Sequence, residues 1–60
     1  MSDAEIVVEV FRLLNLNTSV SPAMVMKSTG CSETRAKTLL EQLTVFASIE
    51  ESPVGFWRRK

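Results

Sequence analysis

Histidine and tyrosine are missing from this 60-residue chain, and cysteine occurs once, as Cys31. A lone cysteine cannot close an intrachain disulfide, and without histidine or further thiols it cannot hold a structural zinc ion. A reducing, intracellular setting, cytoplasm or nucleus, is therefore expected. The same absences leave catalysis with little material. The carboxylates fall on solvent-facing positions with no nucleophile or base beside them, so neither an enzyme nor a cofactor is expected. No apolar run nears the ~20 residues that a membrane span needs. Met1-Ser2-Asp3-Ala4-Glu5 is acidic where a targeting peptide would be basic, so none is expected. Repeats, low-complexity tracts and linkers are lacking too.

Net charge is also lacking: seven basic residues balance seven acidic ones. Zero balance argues against strong non-specific binding of nucleic acid. The charges are spread unevenly, however. Asp3, Glu5 and Glu9 against Arg12 make residues 1–20 net negative by two. Lys27, Arg35 and Lys37 against Glu33 and Glu41 leave 21–46 at plus one, and Arg58, Arg59 and Lys60 against Glu50 and Glu51 do the same for 47–60.

What is present is an apolar fraction of 45%, enough for a packed core. A chain this short buries only about 60% of its unfolded surface, so its margin of stability is small. The punctuation predicts one domain over 1–60, with three helices followed by a hairpin. Ser2 and Glu5 have capping-box spacing and open a first helix. Its wide face of Ile6, Val7, Val10, Phe11, Leu13 and Leu14 suits a central core helix and could also serve a homodimer. Glu5, Glu9 and Arg12 fall opposite. Asn15 to Ser19 are turn-forming, and Val20 reads as a short extended bridge.

Ser21-Pro22 is an N-cap followed by proline at the first helical position, giving a short helix from Pro22 to about Thr29. Gly30 stands where a C-terminal glycine belongs. Ser32 caps a third helix with Ala36, Leu39, Leu40 and Leu43 in one stripe. Val45 would point to solvent if the helix reached it, so its expected end is near Thr44. Met24 and Met26 straddle the short helix, so at least one is expected outside the core. Cys31 reads as a core residue. Ser52-Pro53-Val54-Gly55 fits a type I turn between strands 47–51 and 56–59. The simplest register sets Glu51 against Phe56, Glu50 against Trp57 and Ile49 against Arg58. That puts Ile49 and Phe56 on one face and Trp57 with Arg59 on the other; a bulge would exchange the faces.

Residues 22–41 resemble a helix-turn-helix. With Gly30 at the turn, Val25, Cys31, Ala36 and Leu39 occupy the family's apolar positions, and Thr29 a fifth. Met26 departs from the small residue usual four before the glycine. The preceding helix and following hairpin extend the resemblance to the winged helix-turn-helix superfamily, a small α+β fold. The resemblance implies that the third helix, about 32–44, enters the major groove of duplex DNA as a regulatory rather than a catalytic element. Ser32, Thr34, Arg35 and Thr38 would then reach bases or phosphates, with Lys37 on phosphate. Arg58, Arg59 and Lys60 would act from the wing. Trp57 could stack on a base or close the edge of the core.

A narrower likeness is to Zα-type winged helices, in Pro53 before Trp57 and in the start Ser2-Asp3-Ala4-Glu5-Ile6-Val7. It implies binding of Z-form nucleic acid, but that family's recognition-helix asparagine and tyrosine are absent from Ala36 to Glu41. The competing expectation is a winged helix that binds protein, as an adaptor or as a small viral or plasmid protein docking on host machinery. Zero net charge, Glu33 and Glu41 on the third helix, and spare methionines favour it.

Overall fold

The computed structural model describes all 60 residues. Three helices, α1 (Asp3–Leu16), α2 (Pro22–Thr29) and α3 (Glu33–Phe46), precede a hairpin of β1 (Ile49–Glu51) and β2 (Trp57–Arg59). The fold is a small α+β unit. Each helix starts on a serine whose hydroxyl accepts an amide from the first turn. Ser2 takes Glu5 in a reciprocal capping box, Ser21 takes Met24 and Ser32 takes Arg35. Bonding to the Ser2 amide and hydroxyl lowers the Glu5 pKa. Gly30 ends α2 at φ +77°, a backbone state that a Cβ disfavours.

Ile6, Val10 and Leu14 of α1 meet Val25 of α2 and Ala36, Leu39, Leu40 and Leu43 of α3 in one core. Cys31 packs half-buried against it. Met24 and Met26 do the same, so the short helix turns both methionines inward rather than one out. Thr29 closes the turn: its hydroxyl donates to the Val25 carbonyl at 2.7 Å and accepts from the Cys31 amide at 3.3 Å.

Three further expectations need correction. First, α3 runs to Phe46 rather than Thr44, and Val45 does face solvent, 75% exposed. Helical hydrogen bonding continues there without any help from burial. Second, Glu9 is not on a bare solvent face. Its carboxylate takes the Arg12 guanidinium and the Ser28 hydroxyl of α2, the latter at 2.5 Å. Its side chain is 17% exposed.

Third, the hairpin register differs by one residue. Ile49 pairs with Arg59, Glu50 with Arg58 and Glu51 with Trp57. The turn lies one position later than expected, closed by the Phe56 amide on the Pro53 carbonyl at 3.0 Å. Gly55 is then third in the turn, at φ +89°, where glycine is favoured. Burial sets this register: it turns both Ile49 and Trp57 to the core, 1% and 3% exposed, and leaves Phe56 outside at 43%.

Val20 completes the sheet. It exchanges both backbone hydrogen bonds with Trp57, each 2.8 Å, so β2 lies between Val20 and β1. The expected extended residue is thus a one-residue edge strand. It ties the α1–α2 connection to the hairpin.

Candidate interaction groove

The sequence places its candidate contacts on α3 and the wing, and the structure separates them into three groups. Ser32, Thr34, Lys37 and Thr38 are exposed at the start of α3. Ser32 is already engaged as the cap. Arg35 turns away from them toward α1. Its Nε donates to Asp3 Oδ1 at 2.8 Å, and one Nη donates to the same oxygen at 2.5 Å and to the Met1 carbonyl at 3.1 Å.

The wing cations divide according to the register. Arg58 shares the outer face with Glu50 and donates to its carboxylate at 3.1 Å. Arg59, on the core-side face, reaches back across α1. It donates to Asn15 Oδ1 at 2.8 Å, and its guanidinium lies over the Phe11 ring, 5.5 Å from the centroid. Lys60 adds a backbone bond to Ser48 and carries no ion pair. Trp57 is a core side chain, so neither face of its ring is open to a stacking base. Arg35, Arg58 and Arg59 thus all bond within the molecule.

A groove of about 380 Å³ lies between the start of α2, one flank of α3 and the wing. Ser21, Pro22 and Ala23 form one edge. Glu33, Lys37 and Glu41, at four-residue spacing, line the flank contributed by α3. Glu51, Val54, Gly55 and Trp57 come from the wing. The Glu51 carboxylate accepts the Gly55 amide at 2.9 Å, which holds the turn over the groove. Lys37 makes a salt bridge with none of the three carboxylates. Formal charge in the groove is therefore minus two, from three glutamates against one lysine.

Trp57 brings a second feature. Its Nε1–H is buried and has no acceptor. Such a donor costs about 1–3 kcal/mol relative to a bonded one. No set of three carboxylates and thiols converges closely enough to hold a metal ion.

Sequence reasoning singled out Lys37 for this region, and Glu33 and Glu41 as opposing phosphate. It missed Glu51 and Val54. Their membership follows from the register and the Gly55 turn, which alternation alone leaves open. It also missed Asp3 as the partner of Arg35, a pairing across 32 residues that only the packing of α1 on α3 creates. Elsewhere the surface carries exposed apolar side chains, notably Val8, Leu16, Val45 and Phe46. No helix is long and apolar enough to cross a membrane. No family model, curated protein or solved structure matches this chain.

Proposed function

We propose that this chain is a winged-helix interaction module whose partner is a protein rather than duplex nucleic acid. The winged-helix reading is supported by the order of elements: α2, the Gly30 turn and α3, then a hairpin whose second strand pairs with Val20. It is a reading of topology, and topology alone names no ligand.

The observation that carries the choice of partner is the charge in the groove. Glu33, Glu41 and Glu51 line the same groove as Lys37, the residue that the resemblance assigns to phosphate. Duplex DNA presents one negative charge per ~1.7 Å of axis, so each carboxylate there opposes it. The arginines that could offset this bond instead to Asp3, Glu50 and Asn15. The test is a titration of labelled mixed-sequence duplex at about 50 and 200 mM salt. No saturable binding at the lower salt is the expected result. Binding there that weakens steeply at the higher salt overturns the reading.

Regulatory binding of duplex DNA is the second reading. The exposed Thr34, Lys37 and Thr38 on the first half of α3 favour it, with Lys60 beyond the wing. On that reading Lys37 supplies a phosphate contact, and Lys37→Gln lowers duplex affinity.

A further inference from the structure

We infer that the groove between α2, α3 and the wing docks a basic, extended peptide segment of a partner protein, an inference that rests on the protein-binding reading. Three observations select this occupant. Glu33, Glu41 and Glu51 give the groove a negative balance and face a lysine that pairs with none of them. They do not converge on one point, as a metal ion would require, but spread along an α3 flank and the wing. Carboxylates so spaced suit a polycation whose charges are also spaced. The third observation is the Trp57 Nε1–H, a buried donor without an acceptor on a residue that lines the same groove. A peptide supplies the missing acceptor as a backbone carbonyl, which a simple polyamine lacks. Val54, 90% exposed at the wing tip, offers an apolar surface for the methylene stem of lysine or arginine.

The geometry also sets the sign of each charge effect. Removing Glu33 or Glu41 removes attraction for the peptide. Removing Lys37 removes repulsion and strengthens binding. A phosphate ligand gives the opposite sign at all three positions. That inversion separates the two partner classes.

The probe is an acetylated, amidated Gly-Arg repeat of about eight residues. Extended, it spans roughly 27 Å, comparable to the 26 Å long axis of the domain. The controls are the same peptide with citrulline for arginine, spermine, and a mixed-sequence duplex. Titrations are followed by amide and indole NMR shifts, and affinities by fluorescence of the single tryptophan. Shifts centred on Glu33, Lys37, Glu41, Gly55 and the Trp57 indole N–H are expected. Glu33→Gln and Glu41→Gln should each weaken the arginine peptide about three- to fivefold, and Lys37→Gln should tighten it by a similar factor. These side chains are exposed, and unchanged circular dichroism verifies that the variants fold.

Equal binding of the citrulline peptide overturns the charge argument. Spermine that binds as tightly and moves the indole signal overturns the peptide as occupant. Shifts elsewhere, or none, overturn the groove as the site while the protein-binding reading stands. A duplex that shifts the groove signals, and is weakened by Lys37→Gln, overturns both.

Discussion

The two sides of α3 hold charge in opposite ways. Toward α1, cations and anions bond to each other: Arg35 to Asp3, and beyond it Glu9 to Arg12 and to Ser28. Arg59 joins this side from the wing, lying on Phe11 and bonded to Asn15. Toward α2 and the wing, Glu33, Lys37 and Glu41 share a groove without pairing. One side uses its polar groups to dock helices, and the other leaves its lysine without an ion pair. A count of charges misses this, because the net balance is zero while the balance of available charge in the groove is negative. The molecule's arginines are mostly structural, and its groove glutamates are mostly not.

Trp57 belongs to both the core and the lining of the groove. Trp57→Ala should have the largest effect, about 3–5 kcal/mol, from lost burial and the cavity left behind. In a domain of this size that approaches the whole stability, so urea melts should show little or no cooperative folding. Trp57→Phe removes the unpartnered N–H while keeping most of the ring, so it should cost under about 1.5 kcal/mol. A Phe variant as damaged as the Ala variant would mean that the indole N–H is bonded, and the groove would lose its vacant donor.

The glycines offer a smaller contrast. A Cβ on Gly30 or Gly55 meets nothing within 4 Å, so the cost of alanine is the left-handed backbone alone. That is about 1–2 kcal/mol at each position. The readouts should differ. Gly30→Ala should lower the urea midpoint and leave the groove's peptide affinity unchanged. Gly55→Ala should do both damage, because the Gly55 amide holds Glu51 in place. Equal loss of affinity in the two variants would mean that the turn between helices also shapes the groove.

Glu9 tests the paired side by pH. The Arg12 guanidinium, with the Ser28 hydroxyl, lowers its pKa from 4.5 to about 2. A carboxylate held low when folded stabilises fully above its unfolded pKa and loses that contribution as pH falls through its folded one. Stability should therefore decline between about 4.5 and 2 in the native chain. Glu9→Gln should flatten that decline, read as urea midpoints across the same window. An unchanged slope would mean that Glu9 is no more tightly bonded in the folded chain than in the unfolded one.

Legibility in the sequence follows how local each feature is. The three serine caps, Pro22 and Gly30 act within one helical turn, and all of them fall where the sequence places them. The core stripe on α3 depends only on helical period. The hairpin register depends on which of Phe56 and Trp57 the core accepts, and adjacent aromatic residues leave that choice open. Packing decides it for Trp57, carrying Arg59 to α1 and turning Arg58 outward. The groove was legible in part. Glu33, Lys37 and Glu41 share a helix flank by spacing, whereas Glu51 and Val54 reach it only through the register. The removal of Arg35 was not legible at all, since Asp3 lies 32 residues away along the chain.

That removal supports the smallest expected effect and a sharp test of sign. Asp3 and Arg35 are 65% and 44% exposed, so their ion pair is screened. A double-mutant cycle with Asp3→Ala and Arg35→Ala should give a coupling of about 0–1 kcal/mol. The binding measurements separate what stability cannot. If Arg35 serves only α1, Arg35→Ala leaves groove affinity for the arginine peptide unchanged, and Asp3→Asn does the same. If α3 instead reads duplex DNA, Asp3→Asn frees a guanidinium beside Thr34 and Thr38, and duplex affinity rises as Arg35→Ala makes it fall. A rise with Asp3→Asn would make Asp3 an internal competitor for the arginine, holding it from phosphate, and the two sides of α3 would then form one surface.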